Sequence, residues 1–205
     1  MSVVLSVSVG PVAEFRAGRS KHSAIVKTAV DGRVAVRGVN VDGDDQADRR
    51  VHGGPDQAVY AYARESYDWW ESELGRPIAD GTFGENLTTS GLDVDGALIG
   101  ERWAIGTALL QVTAPRIPCL KLQTRMGEPA FVKRFAAGRR PGAYLRIIEE
   151  GELGAGDEVA VVHRPRHGVT LARTNEILLF AHEDRAELLA AGDDVAARVR
   201  GWAAT

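Results

Sequence analysis

The sequence predicts a mainly β fold of the α+β class, in which a barrel or sandwich of short strands precedes a small helical tail. Short β-branched segments alternate with glycine-containing turns through residues 1–165, and few segments there have helical periodicity. After Pro165 the composition shifts to Ala, Leu, Arg and Glu. An apolar content of 44% with 26% charged residues is typical of a globular chain with a substantial core. We therefore predict a β domain over 1–165 and a three-helix domain over 166–205.

The amino-terminal part is predicted to form strands joined by polar loops. The first strand, Val3–Val9, ends at Gly10-Pro11, and the basic residues after it, from Arg16 to His22, are interpreted as a surface loop. An Asp-Gly pair at 31–32 predicts a hairpin between the segments on either side. The strands expected here are 3–9, 24–30, 33–39 and 58–62.

One segment of the β domain has clear helical periodicity. Tyr67, Trp70 and Leu74 recur at helical spacing within 64–74, and Gly75 ends the segment, so this aromatic stripe is expected to pack in the core. A shorter helix is expected at 129–137, and 151–157 is expected to be a glycine-rich turn. Further strands are expected at 97–105, 108–114, 143–149 and 158–163, and helical pieces of the tail at 169–181, 184–191 and 194–202.

Composition excludes several classes of protein. The formal charge of −3 and the pI near 6.0 give no overall basic field for a nucleic acid polymer. A single cysteine excludes an internal disulfide framework, an all-cysteine zinc site and an iron–sulfur cluster held by this chain. No Rossmann fingerprint, Walker A sequence or nucleophile elbow is present. Neither a signal peptide nor an apolar run of membrane-spanning length is found, so we expect a cytoplasmic protein with no membrane contact.

The segment Pro115–Lys121 carries the single cysteine, Cys119. Pro118 precedes it and stiffens the backbone, and positive charge from Arg116 and Lys121 beside a cysteine favours the thiolate. A thiolate on a rigid loop suits a nucleophile or a ligand of a soft metal. A buried structural cysteine is an equally valid interpretation, because free cysteine is often buried.

Two glycine-containing loops indicate a site as well. The stretch from Asn40 to Asp56 holds Asp48, His52 and the paired glycines Gly53-Gly54, whose backbone N–H groups can form an anion-binding nest. In the loop from Gly81 to Leu87, Asn86 offers donors and acceptors suited to a polar ring, or to a turn. Each loop alone is weak support for a site.

Taken together, three stretches resemble the MOSC domain, the domain named for the C-terminal part of molybdenum cofactor sulfurases. They are Gly43-Asp44-Asp45-Gln46-Ala47-Asp48 with His52-Gly53-Gly54-Pro55-Asp56, then Gly84-Glu85-Asn86-Leu87, then Pro115-Arg116-Ile117-Pro118-Cys119-Leu120-Lys121-Leu122. Their order and spacing resemble the stand-alone bacterial form, and the tail is similar to its three-helix domain. Gln57 and Ala63 depart from the lysine and proline expected in many relatives.

The resemblance implies a β-barrel-like fold that binds molybdenum cofactor, a pterin dithiolene with a phosphate. Cys119 would be the protein ligand of molybdenum, and Cys119, His52 and Asp48 would be catalytic, with the latter two donating protons or orienting neighbours. The implied cofactor-binding residues are Cys119, Arg116, His52, Gly53, Gly54, Asn86, Ser23 and Lys27.

Stand-alone members of the family similar to this chain imply a detoxifying reductase that converts N-hydroxylated compounds, including N-hydroxylated purine analogues, to amines without pyridoxal phosphate. Electrons would come from a separate flavin or iron–sulfur reductase, because the chain lacks a nucleotide fingerprint and an iron–sulfur cysteine set. We expect a monomer or homodimer. A carrier of molybdenum cofactor, or of sulfur on a Cys119 persulfide, is the main alternative, and a hydrolase with a Cys119–His52 pair is a third.

Overall fold

The structure is a computed structural model, and it describes residues 1–47 and 53–205. Its strands are β1 (Val3–Val9), β2 (Ala13–Ala17), β3 (Ser20–Ser23), β4 (Thr28–Ala29), β5 (Arg33–Arg37), β6 (Asn40–Val41), β7 (Val59–Ala63), β8 (Leu87–Ser90), β9 (Arg102–Ile105), β10 (Ala108–Pro115), β11 (Ala143–Glu149), β12 (Gly151–Gly154) and β13 (Val159–His163). Its α-helices are α1 (Arg64–Leu74), α2 (Leu120–Met126), α3 (Phe131–Gly138), α4 (Leu171–Leu179) and α5 (Ala197–Ala203), and 3-10 segments span Pro55–Gln57 and His182–Ala191. The mixed fold class with a large β-sheet is thereby confirmed.

The main sheet has eight strands in the order β13-β9-β10-β11-β7-β8-β1-β4. Its ladders are antiparallel except for the β7–β8 pair, which is parallel. Strand β1, which lies next to the edge strand β4, meets the start of β13 at the other edge through a bridge between Val3 and Glu158, supported by a hydrogen bond from Val4 N to Asp157 O of 2.9 Å. The sheet thus curls into a barrel-like shape, although no continuous ladder closes it in the described ranges.

The predicted hairpin across Asp31-Gly32 is wrong. Within 24–30 the chain forms only the two-residue strand β4, which pairs with the end of β1 at Ser8↔Ala29. Strand β5 pairs instead with β12, which lies inside the predicted turn 151–157. Long-range pairing has overridden the local turn signal, because β5 buries Val36 against the core in that arrangement.

Other predictions of strands, loops and helices also differ from the structure. The expected basic loop is a hairpin of β2 and β3, with Ala13 opposite Ser23. The predicted strand 97–105 begins only at Arg102. Strand β8 and helix α2 were not predicted at all, because both are short and follow the glycine and proline residues that dominate the local sequence signal.

Helix α1 matches its prediction, and its aromatic stripe is core packing as expected. Tyr67 and Trp70 are fully buried, and Gly75 ends the helix with φ of 65°, a left-handed conformation that glycine adopts without a Cβ clash. Trp70 stacks on Phe135 with ring centroids 6.0 Å apart, and Phe83 lies 4.4 Å from Tyr62. This aromatic cluster fixes the loop that leads into β8.

The tail consists of α4, the 3-10 segment and α5, near the three helical pieces predicted. Its apolar side chains, including Leu171, Ile177, Leu188 and Val199, belong to the same core cluster as the side chains of the main sheet. The division at 165/166 stays a prediction. Among the helices in the described ranges, none has the length and apolar character needed to cross a membrane.

Candidate functional site

Cys119 lies where the main sheet ends and α2 begins. Strand β10 ends at Pro115, and Cys119 has an extended backbone, with φ of −143°, at the start of α2. The prolines at 115 and 118 deny this short connection two backbone donors and fix its path. The thiol is free and partly buried, and it lines two separate cavities.

The smaller cavity has a volume of about 100 Å³ and a lining of both polar and apolar surface. Two buried cations, Lys27 and Arg116, face it, and Lys121 lies at its side. The residues around it come from the segment after β3, the loop after β6, the start of β7 and the Pro115–Lys121 segment. They include Ser23, Lys27, Asp44, Gln57, Tyr60, Asn86, Arg116, Cys119, Lys121 and Tyr144.

Asp44 holds one of these cations in place. Its Oδ1 pairs with Lys27 Nζ and accepts a 2.9 Å hydrogen bond from Gly10 N, while its Oδ2 accepts from Asn86 Nδ2 at 2.8 Å. Burial lowers the pKa of Lys27 below its ordinary value, and the charge of Asp44 opposes that shift. The Asp44 carboxylate therefore holds the Lys27 amino group at a fixed position in the cavity wall.

Arg116 supplies the second cation. Its Nη1 donates to the Phe83 carbonyl, and its guanidinium carbon lies 5.0 Å from the centre of the Tyr60 ring. Burial opposes the charge, but Tyr144, Tyr60 and Cys119 outweigh it and raise the pKa of Arg116 above its ordinary value. Arg116 is therefore charged at any working pH, beside the thiol.

The turn 84–87 supports the groups that hold Lys27 and Arg116. Gly84 has φ of 79°, and a Cβ there would come within 2.8 Å of Ile25 Cγ1, so the turn requires glycine. The fully buried Glu85 accepts from Gly81 N at 2.7 Å and from the Tyr67 hydroxyl, and burial raises its pKa. Glu85 thus fixes the loop that carries the Phe83 carbonyl.

The larger cavity, of about 760 Å³, lies on the other side of Cys119 and is mainly apolar. Cys119, Tyr144 and Gln57 line both cavities. The remaining wall comes from the 3-10 turn after Gly53-Gly54, the end of β10, and the tail. The tail residues are Leu178, His182, Ala196, Ala197, Arg198, Val199 and Trp202.

The paired glycines lie at the larger cavity, away from the two buried cations. Gly54 N donates to Gln46 Oε1 at 2.8 Å, and Gln57 N donates to Gly54 O. A Cβ at Gly53 would come within 2.3 Å of Gln46 Oε1, so a larger residue there would have to move the Gln46 side chain. An anion that uses the Gly54 amide has to displace Gln46. Asp48 and His52 lie outside the described residues.

Several predicted site residues do come together at the smaller cavity: Ser23, Lys27, Asn86, Arg116 and Cys119. Asn86 is committed to protein groups, because its Oδ1 accepts from Tyr60 N at 3.0 Å and its Nδ2 also donates to Ser8 O. Ser23 Oγ accepts from Ile25 N. Their roles toward a cofactor stay predictions, and both residues shape the cavity wall.

Sequence reasoning missed Asp44 as a functional residue, although it stands in the first motif, and it missed Tyr144 and the tail residues. A carboxylate between two basic segments is a usable signal for Asp44. Tyr144 stands within an ordinary strand pattern, so only the β10–β11 pairing, with Ala114 opposite Tyr144, brings it beside Cys119.

A free cysteine thus lies between a small cavity with Lys27 and Arg116 in its wall and a larger, mainly apolar cavity. Residues 48–160 match the MOSC domain family. The chain belongs to that family.

The chain is 35% identical over 175 residues to the protein YflK of Bacillus subtilis, covering 85% of this chain and 79% of that protein. It is 34% identical over 168 residues to a Gibberella moniliformis protein named Reductase, covering 80% of this chain but 30% of that protein. The crystal structure of YiiM from Geobacillus stearothermophilus superposes with a TM-score of 0.84 at 30% identity, covering 100% of this chain and 98% of that one.

Proposed function

We propose that this protein is a molybdenum-cofactor-dependent reductase that converts N-hydroxylated compounds, such as N-hydroxylaminopurine-type bases, to amines in a detoxifying role. The position of Cys119 on the walls of both cavities carries the proposal. Membership of the MOSC family and a relative named Reductase support an oxidoreductase. The substrate class and the dependence on molybdenum are proposed.

The residues present fit the cofactor. A soft metal needs a thiolate ligand, and Cys119 is a free, partly buried cysteine at the cavity. The phosphate of the pterin needs buried positive charge, which Lys27 and Arg116 supply at the smaller cavity. Cys119, Lys27 and Arg116 would therefore hold the cofactor from the smaller cavity, which leaves the larger cavity for an organic substrate.

When bound, the cofactor supplies the two electrons that cleavage of an N–O bond consumes. The reaction also consumes two protons and releases the amine and water, so a proton source must stand beside the substrate. Tyr144 borders both cavities, and burial raises the pKa of its phenol, with Cys119 adding to the shift and Arg116 opposing it. A phenol that stays protonated can donate to the departing hydroxyl oxygen. Asp48 and His52 remain proposed as further proton donors or orienting groups.

The electrons are proposed to come from a separate flavin or iron–sulfur reductase, because the single cysteine cannot hold an iron–sulfur cluster. We also propose a cytoplasmic monomer or homodimer.

The test compares holoprotein with Cys119→Ser for bound molybdenum and for reduction of an N-hydroxylaminopurine with an artificial electron donor. The expected result is loss of bound molybdenum and of reduction in the variant. Equal activity in the two proteins contradicts the proposal. A sulfur adduct on Cys119 in the mass spectrum, with no reduction by molybdenum-loaded protein, favours the sulfur carrier instead.

A further inference from the structure

The tail lines the larger cavity, as does the segment that carries Cys119. The end of α4 contributes Leu178, the 3-10 segment contributes His182, and α5 with the residue before it contributes Ala196, Ala197, Arg198, Val199 and Trp202. A cavity of about 760 Å³ lies in the range that binds organic ligands. Part of the wall that Cys119 shares is therefore made by a part of the chain that holds none of the family motifs.

An aromatic pair, His182 and Trp202, lies in this wall. His182 meets Trp202 edge to face, with ring centroids 5.6 Å apart and an interplanar angle of 82°. The His182 Nε2 lies 3.1 Å from the Leu178 carbonyl, which can only accept, so Nε2 carries the hydrogen and the imidazole is held. Trp202 packs against the core on one side. The pair is a preformed aromatic surface rather than two loose side chains.

The wall is tied to the other side of the cavity. Asp56 Oδ2 accepts a 2.8 Å hydrogen bond from Ala197 N at the start of α5, and Asp56 Oδ1 pairs with Arg146 Nη2 at 2.8 Å. Asp56 belongs to the 3-10 turn that follows Gly53-Gly54. The start of α5 is thus joined by a direct hydrogen bond to the 3-10 turn that lines the same cavity.

We propose that the tail contributes to substrate selection. Trp202 and His182 are its specificity-determining residues for planar, unsaturated N-hydroxylated compounds. This inference rests on the proposed function. A flat π system gains dispersion and quadrupole contacts against an aromatic surface, whereas a small aliphatic group cannot. The apolar residues beside the pair, Leu178, Ala197 and Val199, exclude water from that contact.

The test uses benzamidoxime and acetamidoxime, which carry the same N–OH group on a phenyl ring and on a methyl group. Isothermal titration calorimetry of the as-isolated protein measures binding without turnover. Trp202→Ala is expected to weaken benzamidoxime binding about tenfold, and Trp202→Phe to retain most of it. In the molybdenum-loaded enzyme, the same Ala variant is expected to raise the KM for benzamidoxime by a larger factor than the KM for acetamidoxime.

Phe180→Ala is the matched control, because Phe180 is an exposed aromatic residue of the same tail that does not line the cavity. His182→Ala provides a second test in case loss of the indole unfolds the tail, and it is expected to weaken benzamidoxime binding in the same direction. Unchanged benzamidoxime affinity and KM in folded Trp202 and His182 variants overturn the inference, even if Cys119→Ser abolishes reduction. Weakened binding in a protein that reduces neither compound supports the tail as the binding wall and removes the reductase proposal.

Discussion

Lys27 and Asp44 form a salt bridge in which the two side chains keep only 6% and 4% of their exposure. A pair so deeply buried is costly to leave incomplete, because either charge alone remains without solvent. The pair also organises its surroundings, since Asp44 anchors Gly10 and Asn86. Its position at the smaller cavity connects the stability of the fold to the charge offered there.

Replacing Asp44 by Asn is expected to reduce the free energy of unfolding by about 3 kcal/mol at neutral pH, because Lys27 loses its buried partner. Urea unfolding measures the loss. Since the folded pKa of Lys27 is below its ordinary value, the folded state binds fewer protons in the window below 10.5, and stability rises with pH there. Because the charge of Asp44 raises the folded pKa of Lys27, this pKa is lower still in Asp44→Asn, and the stability of the variant rises more steeply with pH. The deficit of Asp44→Asn should therefore shrink as the pH approaches 10.5.

The double variant Lys27→Met, Asp44→Asn provides the control for that experiment. Removing both charges is expected to recover part of the lost stability. If the stability lost in the double variant equals the sum of the losses in Lys27→Met and Asp44→Asn, the two side chains are not coupled.

Arg116→Lys is expected to lower cofactor affinity roughly tenfold or more, because an ammonium cannot offer parallel donors or stack on Tyr60. Molybdenum content per folded protein, measured by elemental analysis after gel filtration, checks the expectation. Arg16→Lys on the exposed β2–β3 hairpin makes the same chemical change away from the cavity and should keep the metal. Equal molybdenum content in the two variants contradicts the assignment of Arg116.

Tyr144→Phe is expected to lower kcat about a hundredfold while leaving bound molybdenum unchanged, because the change removes a proton donor and keeps the ring. Tyr60→Phe is the matched control: the Tyr60 hydroxyl donates to the Pro141 carbonyl at 2.7 Å, and its ring borders the same cavity. If both variants lose kcat equally, the Tyr144 phenol has no special role.

Asp95→Asn is expected to change how stability depends on pH. Burial raises the pKa of Asp95 from 3.8 to about 6, so the folded state binds more protons than the unfolded state between these values. Protonated Asp95 contributes up to about 3 kcal/mol to the free energy of unfolding. This contribution is complete below pH 3.8 and is lost as the pH rises through 6.

Asparagine stays neutral, so the variant should lack this decline. Its Oδ1 can still accept from Gly142 N, as Asp95 does at 3.2 Å. Thermal unfolding of both proteins from pH 4 to 7 measures the difference. Parallel profiles contradict the predicted titration of Asp95.

Sequence patterns predicted the elements whose signal is local. Helix α1 has its full aromatic stripe and a glycine at its end, and β7, β11 and β13 are continuous β-branched or aromatic runs. The strand that pairs with β5 was unpredictable locally, because β12 is a short glycine-bounded segment whose partner lies more than a hundred residues away.

The residues of the site also divide into those that the sequence could predict and those that it could not. Cys119 and Arg116 could be named from a rigid proline segment with flanking charge together with a family resemblance, and Lys27 from the resemblance alone. Trp202 and His182 could not, because a tryptophan at the end of an Ala-rich helix has the sequence character of core packing. Only the three-dimensional packing of the tail against the end of β10 brings them near the thiol.

The apolar core that the strands and the tail share has a consequence for protein engineering. Grafting the last forty or so residues of a relative as a cassette would break interdigitated packing at positions such as Leu171 and Val199. Side chains at 178, 182, 198 and 202 line the larger cavity, and those at 178 and 202 also pack against the core. Libraries at these four codons that keep apolar residues at 178 and 202 are thus the practical route to an altered cavity wall.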